Sequence, residues 1–166
     1  MKIGILSDTH DHIPNFKKAI NFFNKEKVKI VIHCGDWVSP FMLNLCADLK
    51  CGVITVFGNN DGDKFKLLSM GPKLKVEFRD KLAEVTLDKK KIAIFHGDPE
   101  HITKMLVESK KFDVVFSGHT HKPLIDLHGK TLHVNPGSCA FYWDNSGKAS
   151  VATYDTKTNT AKIHTI

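Results

Sequence analysis

Two imidazoles two residues apart sit in the segment Gly118-His119-Thr120-His121, directly after the apolar run Val114-Val115-Phe116. In extended backbone, side chains at i and i+2 share one face, so both rings can reach one small target. A metal ion is the chemistry that best uses such a pair. Four earlier apolar runs stop on residues of the same character: Asp8 and His10, then Asp36, then Asn59, then His96. Turn preferences alone explain an Asp or Asn after a strand, but histidine has no such preference. Two carboxylates, one amide and four histidines at strand ends point to a polynuclear metal site. Seven ligands exceed what one ion takes. Two ions roughly 3.5 to 4 Å apart, bridged by a carboxylate and a water, would use them all, an arrangement that supports in-line displacement at phosphorus. Four imidazoles favour manganese, iron, cobalt, nickel or zinc over magnesium, and the lack of cysteine in the set argues against a structural zinc.

These side chains can converge only if the runs that carry them lie side by side, with their carboxyl ends forming one crevice. Residues 2–6, 28–33 and 53–57 read as strands. Between them, Ile13, Phe16, Ile20 and Phe23 recur at helical spacing behind Pro14, and a second helix is expected after the Ser39-Pro40 cap, with Val38, Phe41, Met42, Leu45 and Leu49 as its buried stripe. Strands alternating with helices in this way imply βαβ units and a parallel sheet. After a weak helix over 63–70, short strands over 74–78, 82–87 and 91–95 look antiparallel. Asp98 is placed to cap a third helix that buries Ile102, Met105 and Leu106, and two hairpins turn near His128-Gly129-Lys130 and within 155–159. The expectation is a four-layer α/β/β/α sandwich, with early parallel strands and late antiparallel ones in separate sheets.

Length and composition narrow the reading. A chain of 166 residues is expected to form a single domain spanning 1–166. Its 42% hydrophobic and 25% charged content is that of a globular protein, which excludes disordered and solenoid classes. The start, Met1 to Leu6, is too short for a signal core and no run is long enough to span a membrane, so a cytoplasmic protein without membrane contact is expected. The four cysteines, Cys34, Cys46, Cys51 and Cys139, are scattered without a C-x-x-C pair and should be reduced. A net charge of +6 suits acidic partners, but the lysines are dispersed and Arg79 is the only arginine, so a phosphate would be held by metal, backbone or lysine. Nothing in the sequence sets an oligomeric state.

The blocks Asp8-x-His10, Gly35-Asp36, Gly58-Asn59, His96-Gly97 and Gly118-His119-x-His121 resemble, in order and rough spacing, those of the calcineurin-like metallophosphoesterases, and most of all their small single-domain YfcE-like phosphodiesterase branch. The resemblance runs from residue 3 to about 138. It implies two mixed sheets flanked by helices and divalent-metal-dependent hydrolysis of a small phosphoester. It also implies two transition-metal ions per chain, with manganese the first expectation and nickel, cobalt, iron or zinc the others. Carried over by position, it gives one metal Asp8, His10 and His121, the other Asn59, His96 and His119, and makes Asp36 the bridge, with a bridging hydroxide as nucleophile. Asp36, Asn59, Asn60 and His96 are then the residues nearest the reaction. Asn135-Pro136-Gly137-Ser138 matches a recurrent block, read as a turn that supports the site.

Two departures from the family matter. Asn60 stands where many members carry a histidine that helps protonate the leaving group, and asparagine cannot serve as an acid. The sequence offers Asp11 and His12 as substitutes. An acidic leaving group is therefore expected, and the arginine of the protein-phosphatase branch is missing after Asp36. The rival readings are a nuclease, which the positive charge favours weakly, and a protein-binding scaffold that has lost catalysis, which the complete ligand set disfavours.

Overall fold

The computed structural model describes residues 1–140 and 148–166. In the first sheet, β1 (Lys2–Leu6), β2 (Ile30–His33), β3 (Val53–Thr55) and β4 (Val76–Phe78) lie parallel in that order, while β10 (Ser150–Asp155) and β11 (Thr160–Thr165) extend it antiparallel beyond β1. The second sheet has the order β5 (Leu82–Leu87), β6 (Lys90–Phe95), β7 (Val114–Phe116), β9 (Thr131–Asn135), β8 (Leu124–His128). There β6, β7 and β9 are parallel, and β5 and β8 flank them antiparallel. Both sheets are thus mixed, which corrects the expectation that parallel and antiparallel strands would segregate.

Side-chain alternation explains the layers. Ile3 and Ile5, Ile32 and Ile54 point from the first sheet toward Ile92, Ile94, Val114, Phe116, Leu132 and Val134 of the second, and the two faces close on one apolar core. On the outer face of the first sheet, Leu6, Val31 and Val53 meet Phe16, Ala19, Ile20 and Phe23 of α1 (Ile13–Glu26). On the far side, Ala93 and Val115 meet Val107 of α3 (Glu100–Glu108) and Phe112. Helix, sheet, sheet, helix is the four-layer order. Strands covered on both faces have no polar side to show, which is why they read in the sequence as continuous apolar runs.

Three local expectations need correction. The segment Pro40–Asp48 is a 3₁₀ helix that buries Met42, Leu43 and Cys46, whereas Phe41 is exposed. Ser39 holds its N-cap position as expected but makes no side-chain capping bond; its N–H and hydroxyl both donate to Asp11 (2.9 and 2.6 Å). Residues 74–78 divide into the end of a 3₁₀ turn (Gly71–Leu74) and β4, which pairs parallel with β3 because α2 (Lys64–Met70) serves as the crossover. In α3, Thr103 and Val107 are buried and Met105 is 63% exposed; Pro99 holds the cap position and Asp98 makes no capping bond.

Gly4, in the middle of β1, lets α1 approach. A Cβ there would lie 2.7 Å from Cδ1 of Phe23, a ring buried to 1% exposure. Gly4→Ala should therefore lower stability by about 1–3 kcal/mol, seen as a lower urea midpoint at unchanged slope.

Candidate metal centre

Parallel pairing sets β1, β2 and β3 in register at their ends, Leu6 opposite His33 and His33 opposite Thr55, so the turns that follow are neighbours. Backbone bonds then lock the turns together. Asp8 N–H donates to Gly35 O (3.0 Å), Thr9 and His10 N–H to Asp36 O (3.0 and 3.2 Å), and in the second sheet Gly118 N–H to His96 O (2.7 Å). The two sheets are also bonded to each other at the site itself, where His119 N–H donates to Asp8 Oδ2 (3.1 Å). The crossing is possible because residue 118 is glycine. A Cβ there would collide with Ser7 Oγ and sit 2.7 Å from Asp8 Oδ2.

Five of the seven expected ligands have left-handed backbone: Asp8 (φ 55°), His10 (38°), Asp36 (62°), His119 (66°) and His121 (59°). For non-glycine residues this costs of order 1 kcal/mol each and persists only where surrounding bonds impose it. It aims side chains from sharp turns into one small volume. Asp8 and Asp36, 0% and 1% exposed, are at its centre. Asp8 Oδ1 lies 3.2 Å from His121 Nε2 and 3.8 Å from His10 Nε2. Asp36 Oδ2 lies 3.4 Å from His10 Nε2 and 3.3 Å from His96 Nε2. Two compact donor groups result, Asp8 with His10 and His121, and Asp8 with Asp36 and His96.

Asn59 joins the second group, its Oδ1 3.0 Å from His96 Nε2. The His119 ring lies edge-on to His96, centroids 5.1 Å apart, and helps to line an open pocket of about 250 Å³ with His10, Asp36, Asn60 and His121. Asn60 is bound to the carboxylate beside it: its N–H donates to Asp36 Oδ1 (2.8 Å) and its side-chain amide to Oδ2 (2.7 Å).

The donor set requires a cation. His96 Nδ1–H donates to Cys34 O (2.9 Å), which leaves the Nε2 lone pair facing Asp36 Oδ2 and Asn59 Oδ1, three acceptors pointed at one another. Without metal, a proton fills the gap. Burial opposes charge on His96, but the bond to Asp36 and the charges of Asp8 and Asp36 outweigh it and raise its pKa to about 9. Burial likewise opposes charge on Asp8, and the imidazoles of His10, His121 and His96 hold its carboxyl well below the usual range nonetheless. Asp8 Oδ1, His10 Nε2 and His121 Nδ1 are buried with no hydrogen-bond partner among the described residues. Buried donor atoms left without hydrogen-bond partners fit a site built to hold metal.

The surrounding residues position this set. Asp61 was not singled out in the sequence, yet its buried carboxylate accepts four backbone N–H bonds: Trp37 (2.7 Å) and Val38 (3.0 Å) on Oδ1, Gly58 (2.7 Å) and Asp36 (3.2 Å) on Oδ2. It clamps the β2 turn to the β3 turn. Its only sequence signal is its place closing Gly58-Asn59-Asn60-Asp61. His33 is no ligand: its Nδ1 accepts Gly35 N–H (3.1 Å), Nε2 meets Thr9 Oγ1 (3.2 Å), Thr9 donates to Asp36 O, and the ring stacks on Trp37 at 3.8 Å. Burial pulls its pKa down to about 3, so it is a neutral strut. Cys34 and Trp37 are fully buried packing residues. Asp11 is engaged by Ser39, and His12 caps α1 by accepting Asn15 N–H (3.2 Å). The Asn135–Ser138 turn does support the site: Asn135 Nδ2 donates to Gly118 O (2.7 Å), and Ser138 Oγ to Asp8 O (3.2 Å).

Comparison with known proteins agrees with this geometry. Residues 1–159 match the model of the calcineurin-like phosphoesterase superfamily domain. The chain is 43% identical to phosphodiesterase MJ0936 of Methanocaldococcus jannaschii over 143 residues, 86% of each protein. A solved structure described as a novel archaeal phosphodiesterase superposes with a TM-score of 0.94 at 38% identity, covering all of both chains. The Escherichia coli phosphoesterase Yfce superposes at 0.74 with 23% identity over 94% of this chain and 89% of that one, a likeness of fold. The chain belongs to the calcineurin-like phosphoesterase superfamily. It is a metal-dependent phosphoric ester hydrolase.

Two measurements check the site. Asp61→Asn should cost about 2–4 kcal/mol in stability, because an amide nitrogen would face two backbone N–H groups, and should weaken metal binding in the molecules that remain folded. Loading metal-free protein with Mn²⁺ near neutral pH should release protons, since His96 must give up the one on Nε2, and affinity should rise with pH until about 9. Calorimetric titration in two buffers of different ionisation heat counts those protons.

Proposed function

We propose that this chain is a phosphodiesterase that works with two divalent transition-metal ions, manganese first among them, on small phosphoesters. The observation that carries the reading is the convergence of His96 Nε2, Asp36 Oδ2 and Asn59 Oδ1 on one point beside a second group of Asp8, His10 and His121. In this reading Asp8, His10 and His121 hold one ion, Asn59, His96 and His119 the other, and Asp36 is shared. Such ions would acidify a shared water enough to attack phosphorus at neutral pH and offset the charge that develops there. The chain's own residues fix where this happens. Asn60 and Asp61 hold Asp36 from both sides, and Cys34 O fixes the His96 tautomer.

Among the described residues the sequence's candidates for protonating a leaving oxygen are engaged elsewhere, Asn60 with Asp36, Asp11 with Ser39, and His12 with the start of α1. The preferred substrate therefore leaves as a weak base. Small esters are favoured over nucleic acid because a basic recess, with Lys91, Lys110, Lys111 and Lys130, lies at the opposite ends of β6 and β7 from the ligands. The whole chain acts as one domain in this reading, since ligands come from both sheets across a shared core. A reducing, cytoplasmic setting is supported by four free thiols, of which Cys46 and Cys139 are pushed up to about 12 by burial. Among the described residues no helix is long and apolar enough to cross a membrane.

Metal-stripped protein should be inactive toward bis(p-nitrophenyl) phosphate and regain activity with Mn²⁺. His96→Ala or Asp36→Ala should lower kcat/KM by about 100-fold or more. Across a series of aryl and alkyl esters, log kcat should fall steeply with leaving-group pKa. A flat plot with chemistry rate-limiting would refute the missing acid, and full activity in either variant would refute the site.

A further inference from the structure

Beside Asn59 and His96 the crevice continues into a second recess, of about 190 Å³, that the proposed chemistry does not use. Its lining includes Phe57, Asn59, Lys64, Lys81, His96 and Asp98. Two ammonium groups against one carboxylate give it net positive charge, and neither lysine forms an ion pair among the described residues. The fold keeps both lysines there. Lys64 is the first residue of α2, and its Nζ lies over the Phe57 ring, 5.3 Å from the centroid, while Phe57 itself stacks on Phe78 at 4.9 Å. Lys81 follows Asp80, whose carbonyl accepts the Phe57 N–H (3.1 Å), so the chain that brings Lys81 is tied to the end of β3.

We propose that this recess is a subsite for a second anionic group of the substrate, so that the enzyme prefers phosphodiesters that carry a further phosphate or carboxylate on the part retained next to Asn59 and His96. The inference rests on the phosphodiesterase reading and adds a substrate class to it. Lysine ammonium groups are point donors that take a terminal phosphate in any orientation, which suits a chain whose one arginine, Arg79, pairs with Glu77 (2.5 Å). Asp98 at the rim leaves one net positive charge, enough for a singly or doubly charged group and too little for a polyanion.

A matched pair of esters tests this: the p-nitrophenyl ester of thymidine 5′-phosphate, and the same ester carrying a 3′-phosphate. The reacting centre and leaving group are identical. With Mn²⁺-loaded wild-type protein, kcat/KM should be about tenfold or more higher for the charged ester, mostly through KM. In Lys64→Ala/Lys81→Ala the ratio should collapse toward one, and in Lys66→Ala, a change of an exposed lysine on the same helix outside the recess, it should stay as in wild type. Competitive inhibition by thymidine 3′,5′-bisphosphate against thymidine 5′-phosphate should show the same ratio and the same collapse without any turnover of the inhibitor. A wild-type ratio near one, or a ratio that survives the double substitution, overturns the subsite. Failure of both esters and of bis(p-nitrophenyl) phosphate would instead count against the phosphodiesterase reading itself.

Discussion

Two carboxylates buried almost without exposure, Asp8 and Asp36, set the terms for the rest of the molecule. Charge taken out of water to that depth must be compensated on every side, by imidazoles, backbone donors or cations. Every element of the fold can be read as part of that compensation. Parallel strands bring five turns to one edge, left-handed backbone aims their side chains inward, and Asp61, His33 and Asn135 tie the turns to each other. The imidazoles answer the carboxylates only in part. Acceptors remain that face each other, and in that remainder lies the affinity for metal.

The compensation is arranged in shells of different rigidity. Around Asp36 almost every bond comes from backbone or from a side chain with one available geometry, so this carboxylate has no freedom to follow a substrate. His119 is different: it is anchored through its own N–H to Asp8, while its ring meets only its neighbours and the open pocket. Farther out, Lys64 lies over the Phe57 ring, and Lys81 follows Asp80, which is tied to the end of β3, with no ion pair on either ammonium among the described residues. Anchoring loosens from the buried carboxylates to the rim, which is the order expected when chemistry must be fixed and recognition must adapt.

Much of this was legible in the chain. The ligands were visible because histidine at a strand end has no turn preference to explain it, and apolar runs buried on both faces announced the sheets. What escaped notice depended on contacts distant in sequence. Asp61 looks like any turn aspartate until its four donors, from residues 36, 37, 38 and 58, are assembled around it. The 3₁₀ segment escaped because period 3.0 and period 3.6 separate poorly over nine residues, and β4 because a seven-residue helix proved long enough for a parallel crossover. Met105 follows the same logic: α3 is short and meets the sheet along one narrow stripe, so a residue of core type remains outside.

The bond from His119 to Asp8 spans 111 positions of the chain and joins the two sheets. A growing polypeptide that has emerged only through β4 already carries Asp8, His10, Asp36 and Asn59, but none of the three histidines from the second sheet. Such a fragment can offer a metal only an incomplete, largely oxygen-based set of donors. The full site exists only once both sheets have docked, so any ion bound there stabilises the finished packing over all that precede it. Metal supply would then act as a quality check on assembly, distinguishing completed molecules from arrested ones before any substrate arrives.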